Sequence, residues 1–168
     1  MKLRKLLVVA GALLALVMMP TTSQALTFSL DNFQFVAVGG SVDFMGTVTW
    51  VPGAPDFDPN PLYLNGVSVS VGGGLMIDDS PFYTNWPFFL DAGTPSYTGV
   101  LFTVTAPPGT PFGATYTGSA TLLGGATAGS LGAIGTQDFS VTTVPEPGTL
   151  ALLGLGLAGL GLRRMRKQ

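Results

Sequence analysis

The sequence has no cysteine and no histidine, and its 7 Lys and Arg residues are confined to the two ends. The lack of cysteine excludes disulfides, thiol catalysis and thiolate metal sites. Without histidine or lysine between residues 26 and 144, neither a Ser-His-Asp triad nor a Ser-Lys dyad can form there. Charge is scarce overall, at 10% of residues. Residues 26–144 carry only aspartates, namely Asp31, Asp43, Asp56, Asp58, Asp78, Asp79, Asp91 and Asp138. A stretch without cations cannot neutralise phosphates, which excludes nucleic acid and anionic lipid head groups as its partners. A carboxylate pair is the one hydrolytic chemistry still open. It needs a larger cleft than a small β domain offers, so the expectation is a protein that is not an enzyme. No Asn-x-Ser/Thr acceptor with a permissive middle residue occurs either.

What is abundant points to strands. The 24 Gly and 13 Pro suit short strands joined by many turns, not a helical bundle. Hydrophobic residues make up 46% of the chain, and much of that excess sits at the ends. About 119 residues lie between them, enough for a core that holds without disulfides.

The N-terminal end has the three parts of a secretory signal. Lys2, Arg4 and Lys5 precede an apolar run from Leu6 to Met19. Pro20 ends the run, and Ser23-Gln24-Ala25 places small residues before a cut after Ala25. A run of about 14 residues is shorter than the roughly 20 needed to span a bilayer, which favours cleavage over a retained anchor. Residues 1–25 are therefore expected to be removed by signal peptidase.

The C-terminal end joins three unlike elements: Val144-Pro145-Glu146-Pro147, then Leu150 to Leu162 built of Leu, Ala and Gly, then the cationic cluster Arg163, Arg164, Arg166 and Lys167. The prolines prevent regular structure and keep Glu146 on an extended strip. The apolar stretch, residues 149–162, can enter the inner membrane as a short helix, and the cations stop transfer on the cytoplasmic side. About 14 helical residues span near 21 Å, so local thinning and snorkelling are needed to cross.

Together these elements resemble the PEP-CTERM sorting domain of bacterial surface proteins, over residues 144–168. The resemblance implies recognition by an exosortase, cleavage near Pro145-Glu146-Pro147, and a Gram-negative host that makes exopolysaccharide. It implies a protein exported through the inner membrane, transiently anchored, and left in the envelope or outside the cell. It does not state the task of the domain that is sorted.

Between the ends, residues 26–143 alternate with period 2. Val42, Phe44, Gly46, Val48 and Trp50 oppose Ser41, Asp43, Met45, Thr47 and Thr49. Similar alternation runs through Val67–Val71, Val100–Thr105, Thr115–Leu122 and Asp138–Thr142. Phe28, Leu30, Phe33 and Phe35 suggest an opening strand broken at Asp31-Asn32. Residues 82–90 are aromatic, but Pro81 and Pro87 move them to an edge. Residues 124–136 read as a flexible Gly-rich hairpin or loop, and no segment shows a clear helical period. The expectation is an all-β, immunoglobulin-like antiparallel sandwich of about seven strands, between an N-terminal signal helix and a C-terminal short transmembrane helix. The segment Ala106 to Tyr116, with its Pro107-Pro108-Gly109 turn, is similar to the turn before a late strand in immunoglobulin-like domains of bacterial surface proteins.

Two groups of side chains are candidate sites. Asp56, Asp58 and Asn60 repeat oxygen ligands at alternate positions, a pattern that suits Ca²⁺, although turn initiation explains the same residues. The loop lacks the sixth-position glycine and twelfth-position glutamate of an EF-hand. Phe82, Tyr83 and Trp86 would stack on sugar rings if exposed and would be packing if buried. The sequence thus supports a non-enzymatic exported surface or matrix protein associated with exopolysaccharide. The alternative is a carbohydrate- or Ca²⁺-dependent binding module, and no cofactor is otherwise implied.

Overall fold

A computed structural model describes residues 26–53, 59–146, 148 and 152–157. Among the described residues up to 146, nine strands and one short helix follow in order: β1 Leu26–Leu30, β2 Phe33–Ala37, β3 Ser41–Trp50, β4 Leu62–Val71, β5 Met76–Asp78, α1 Ser80–Asn85, β6 Phe89–Leu90, β7 Ser96–Thr105, β8 Thr115–Gly125 and β9 Gly132–Val144. They form two sheets, of order β1-β3-β7-β5 and β2-β9-β8-β4-β6. The expected sandwich is there, with nine strands in place of about seven. It is also not wholly antiparallel, because β2 runs parallel to β9.

The extra strands arise where the chain changes sheets. β1 pairs with β3, and the break at Asp31-Asn32 then sends β2 across to β9 in the other sheet. The turn flips the alternation, so Val36 becomes buried while Phe33 and Phe35 stand outside at 46% and 58% exposure. β4 begins at Leu62, earlier than its valine run suggests, and takes its extra residue, Asn65, at a bulge.

The core lies between the sheets. Phe44, Phe102 and Phe139 meet there with ring centroids 4.8 to 5.1 Å apart. All three are buried, along with Trp50, Leu62, Leu101, Leu122 and Val141. Leu101 and Phe102 are adjacent yet both buried, which strict alternation forbids. A bulge in the β3–β7 pairing, between Phe44 and Met45, makes it possible by setting two residues of β7 against one step of β3.

The Gly-rich segment 124–136 is mostly strand. β8 extends to Gly125 and β9 starts at Gly132, leaving a loop at 126–131. Asn65 Nδ2 donates to the carbonyls of Thr127 (3.1 Å) and Ser130 (2.7 Å), which pins that loop. Gly135 is needed for a close approach: a Cβ there would stand 2.6 Å from Phe28 Cβ, where β1 crosses β9.

The helix α1 is a further departure from the expected all-strand domain. Pro81 fits its first turn, where no amide donor is required. Phe82 and Trp86 lie one helical turn apart and bury the same face. The edge position expected for residues 82–90 holds only for β6, at the end of the five-stranded sheet. Residues 152–157 are helical and exposed. Among the described residues no helix is long and apolar enough to cross a membrane. Most of the expected span, 149–162, lies outside those residues, as do residues 1–25 with Ala25.

Candidate functional site

The C-terminal motif starts inside the sheet. Val144 is the last residue of β9 and pairs with Ala37 of β2, and the Val38 amide donates to the Val144 carbonyl at 3.1 Å. Its neighbour Thr143 is fully buried and donates through Oγ1 to the carbonyls of Pro111 (2.5 Å) and Ala114 (3.3 Å). Pro145 then ends the ladder, because it has no amide to donate. Glu146 is exposed, yet its carboxylate lies against the turn between β2 and β3. A Cβ on Gly39, which has φ +83°, would stand 3.2 Å from Glu146 Oε1. No spacer separates the folded domain from the motif. Pro147 and the cluster Arg163, Arg164, Arg166 and Lys167 lie outside the described residues.

Two of the described aspartates, Asp91 and Asp78, are engaged in turns. Asp91 Oδ1 accepts from the amides of Gly93 (2.9 Å) and Thr94 (2.8 Å) and from the Thr94 hydroxyl (3.0 Å). These bonds, the Thr94 amide foremost, favour the charged carboxylate and hold Asp91 below the usual carboxylate range. Asp78 is lowered in the same way, by its bonds to Ser80. Asp43 accepts from the Thr103 hydroxyl across the β3–β7 pair at 2.6 Å. Among the described residues no three His, Cys, Asp or Glu side chains gather to hold a metal. Asn60 is exposed, and its expected Ca²⁺ partners Asp56 and Asp58 lie outside the described residues.

The aromatic group divides. Phe82 and Trp86 are 3% and 8% exposed and belong to the core, so their faces are not offered to a sugar. Trp86 Nε1 donates to the Val100 carbonyl at 2.8 Å, and the indole lies over Gly46, where a Cβ would come within 3.3 Å of it. Tyr83 alone of the three is exposed, at 61%. A cleft of about 170 Å³ remains between α1 and β4, beside Tyr83 and Phe88. The i, i+4 spacing of Phe82 and Trp86 behind Ser80-Pro81 was the signal for a buried helical face.

A second concave feature lies elsewhere, on the outer face of the five-stranded sheet. It is an open depression of about 560 Å³, bordered by Asn32, Ser70, Thr117, Ser119, Asp138 and Ser140. Alternation reveals the hydroxyls of β8 and β9. The placement of Asn32, and of Phe33 and Phe35 on the same face, depends on β2 changing sheets, which no periodicity shows.

Fold and motif together define a two-sheet β module whose last strand runs directly into a sorting signal. The family model described as the PEP-CTERM protein-sorting motif matches residues 143–167, and the chain carries that motif. Solved structures show distant likeness. The native conformation of alpha-2-macroglobulin from E. coli is 21% identical over 73% of this chain and 7% of its own, with a TM-score of 0.44. The SrpA adhesin of Streptococcus sanguinis is 12% identical over 76% of this chain and 62% of its own, with a TM-score of 0.42. A family 123 glycoside hydrolase from Clostridium perfringens is 11% identical over 73% of this chain and 27% of its own, with a TM-score of 0.37. The chain thus spans less than two thirds of each of these proteins. No curated protein matches it significantly.

Proposed function

We propose that this chain is a non-enzymatic protein exported through the inner membrane, held there briefly by residues 149–162, and released by an exosortase to the envelope or the extracellular matrix. Residues 1–25 are the signal peptide, 26–143 the working domain, and 144–168 the sorting and anchoring segment. The observation that carries this reading is the sorting-motif match at residues 143–167. The mature domain has no histidine, cysteine or lysine to act as nucleophile or base, which supports a structural or binding role over catalysis. An immunoglobulin-like reading of the domain is supported by strand order. β1-β3-β7-β5 facing β2-β9-β8-β4, with the two-residue β6 added at the β4 edge, resembles the two-sheet arrangement of that fold. The working environment is read as exopolysaccharide, as the sorting system implies.

Deletion of residues 147–168, which leaves every β2–β9 rung in place, tests the role of the tail. The full chain should pass through a membrane-bound precursor before its product appears in the envelope or medium. The shortened chain should reach the periplasm without any membrane-bound stage. Cell fractionation with immunoblotting reads both outcomes, and identical fractionation of the two chains would remove the tail's proposed role.

A further inference from the structure

We propose that the depression on the outer face of the five-stranded sheet binds a neutral, hydroxyl-rich glycan, with Phe33 and Phe35 as the stacking surface and Asp138 and Asn32 as hydrogen-bonding partners. The outer hydroxyls of this protein are used differently on its two sheets. On the four-stranded sheet the polar side chains of β3 pair with those of β7: Ser41 with Thr105 at 2.7 Å, Asp43 with Thr103 at 2.6 Å, Thr47 with Thr98 at 2.8 Å and Thr49 with Ser96 at 2.9 Å. Each pair is directly opposed in the strand register. Such pairs satisfy both side chains within the protein and leave that face little to offer a ligand.

The β8–β9 pair follows the same rule at its ends and breaks it in the middle. Thr115 bonds Thr142 at 2.7 Å and Thr121 bonds Thr136 at 3.0 Å. The two outer rungs between them are Thr117 opposite Ser140 and Ser119 opposite Asp138, and neither makes the cross-strand bond. Ser119 turns to Ser70 at 3.2 Å, and Ser140 turns to the carbonyl of Asn32 at 3.4 Å. Among the described residues the Thr117 hydroxyl, the Asp138 carboxylate and the Asn32 side-chain amide have no hydrogen-bond partner. These three border the depression. The ladder is therefore open where the surface is concave.

The neighbouring strand supplies the apolar half of the site. β2 sits beside β9 with Phe33 opposite Ser140 and Phe35 opposite Thr142, so both rings share the outer face with the open rungs. They are 46% and 58% exposed and meet edge to face, with centroids 4.7 Å apart. Two exposed rings beside free hydroxyl, amide and carboxylate groups suit a ligand with apolar C–H faces and a polar rim, as a pyranose has. A carboxylate accepts from two adjacent hydroxyls, and an amide both donates and accepts. Residues 26–144 contain no cation, so a uronate or sulfated sugar would meet uncompensated repulsion from Asp138. Repulsion thus excludes an anionic glycan, and the two rings with an uncharged amide and hydroxyl beside them suit a neutral one.

Native affinity electrophoresis of the full chain in mild detergent tests this, with galactomannan, laminarin or dextran in the gel and alginate as the anionic comparison. Retardation by at least one neutral glycan and none by alginate is expected. The double variant Phe33→Ala/Phe35→Ala and the single variant Asp138→Asn should each weaken retardation about tenfold. Thr136→Ala, on a closed rung of the same face, should leave it unchanged. Tryptophan emission checks folding, because Asp138 is exposed and its substitution removes no internal bond. No retardation by any of the three neutral glycans overturns the site. So does retardation that survives both variants, or stronger retardation by alginate. The site rests on the proposed export only because the glycan lies outside the cell. A chain that is exported and trimmed but binds no neutral glycan loses the site and keeps its sorting. A chain that binds but stays cytosolic does the reverse.

Discussion

Replacing Phe44 with alanine should lower the stability of the β domain by about 3–5 kcal/mol, the usual cost of removing a fully buried phenyl group. Phe44 is 0% exposed and lies 4.9 Å from the Phe102 ring and 4.8 Å from the Phe139 ring. It joins β3 of one sheet to β9 of the other, so its loss opens a cavity where the two layers meet. Its neighbours belong to paired strands and cannot collapse freely into the gap. A domain of this size typically holds about 5–15 kcal/mol in total, and no disulfide limits the unfolded chain. The change should therefore consume a large share of the margin. Urea unfolding followed by tryptophan emission reads it directly, because the 2 tryptophans, Trp50 and Trp86, are both buried. Phe35→Ala, at a ring 58% exposed, should shift the same curve by no more than about 0.5 kcal/mol. Equal shifts for the two substitutions would mean that the core is not where the two sheets place it.

The second large effect concerns where the domain ends. Truncation after Glu146 should leave the unfolding midpoint unchanged, whereas truncation after Phe139 should leave no cooperative transition. The short form loses all five β2–β9 rungs, from Phe33 opposite Ser140 to Ala37 opposite Val144. It also loses the burial of Val141 and the two hydrogen bonds of Thr143. Val36, 2% exposed, then sits on a strand without a partner. Burying one valine contributes about 1.5–3 kcal/mol, and the orphaned strand amides add to that loss. The combined deficit is comparable with the whole stability. The longer form keeps every rung, because Pro145 already ends the ladder. Removal of the tail within Pro145-Glu146-Pro147 thus lies at the first point where cutting leaves both sheets whole. Circular dichroism melts of the two truncations separate the cases, and a cooperative melt of the shorter form would contradict the assigned role of β9.

The sequence made some of this legible and not the rest, for physical reasons tied to particular residues. Alternation in 41–50 and 115–122 marks strands with one buried face, and Phe44, Val48, Trp50, Ala120 and Leu122 are buried accordingly. Period 2 records only that a strand has two faces. It does not record which sheet the strand joins, so the crossing of β2 to β9 and the outward turn of Phe33 and Phe35 were hidden. Bulges defeat alternation locally, as at Leu101 and Phe102. The helix α1 was masked by Pro81 and the nearby Pro87, although Pro81 sits within its first turn. The sorting motif was readable because it is linear. The open rungs around Asp138 were not, because they depend on which hydroxyls the fold pairs with each other.

The account rests on a chain that loses both cationic ends and keeps the β domain between them. Intact-mass spectrometry of the protein recovered from the envelope or medium of growing cells tests this most directly. The expected mass begins at Leu26 and ends within Pro145-Glu146-Pro147. A mass that retains both Met1 and Gln168 would contradict it.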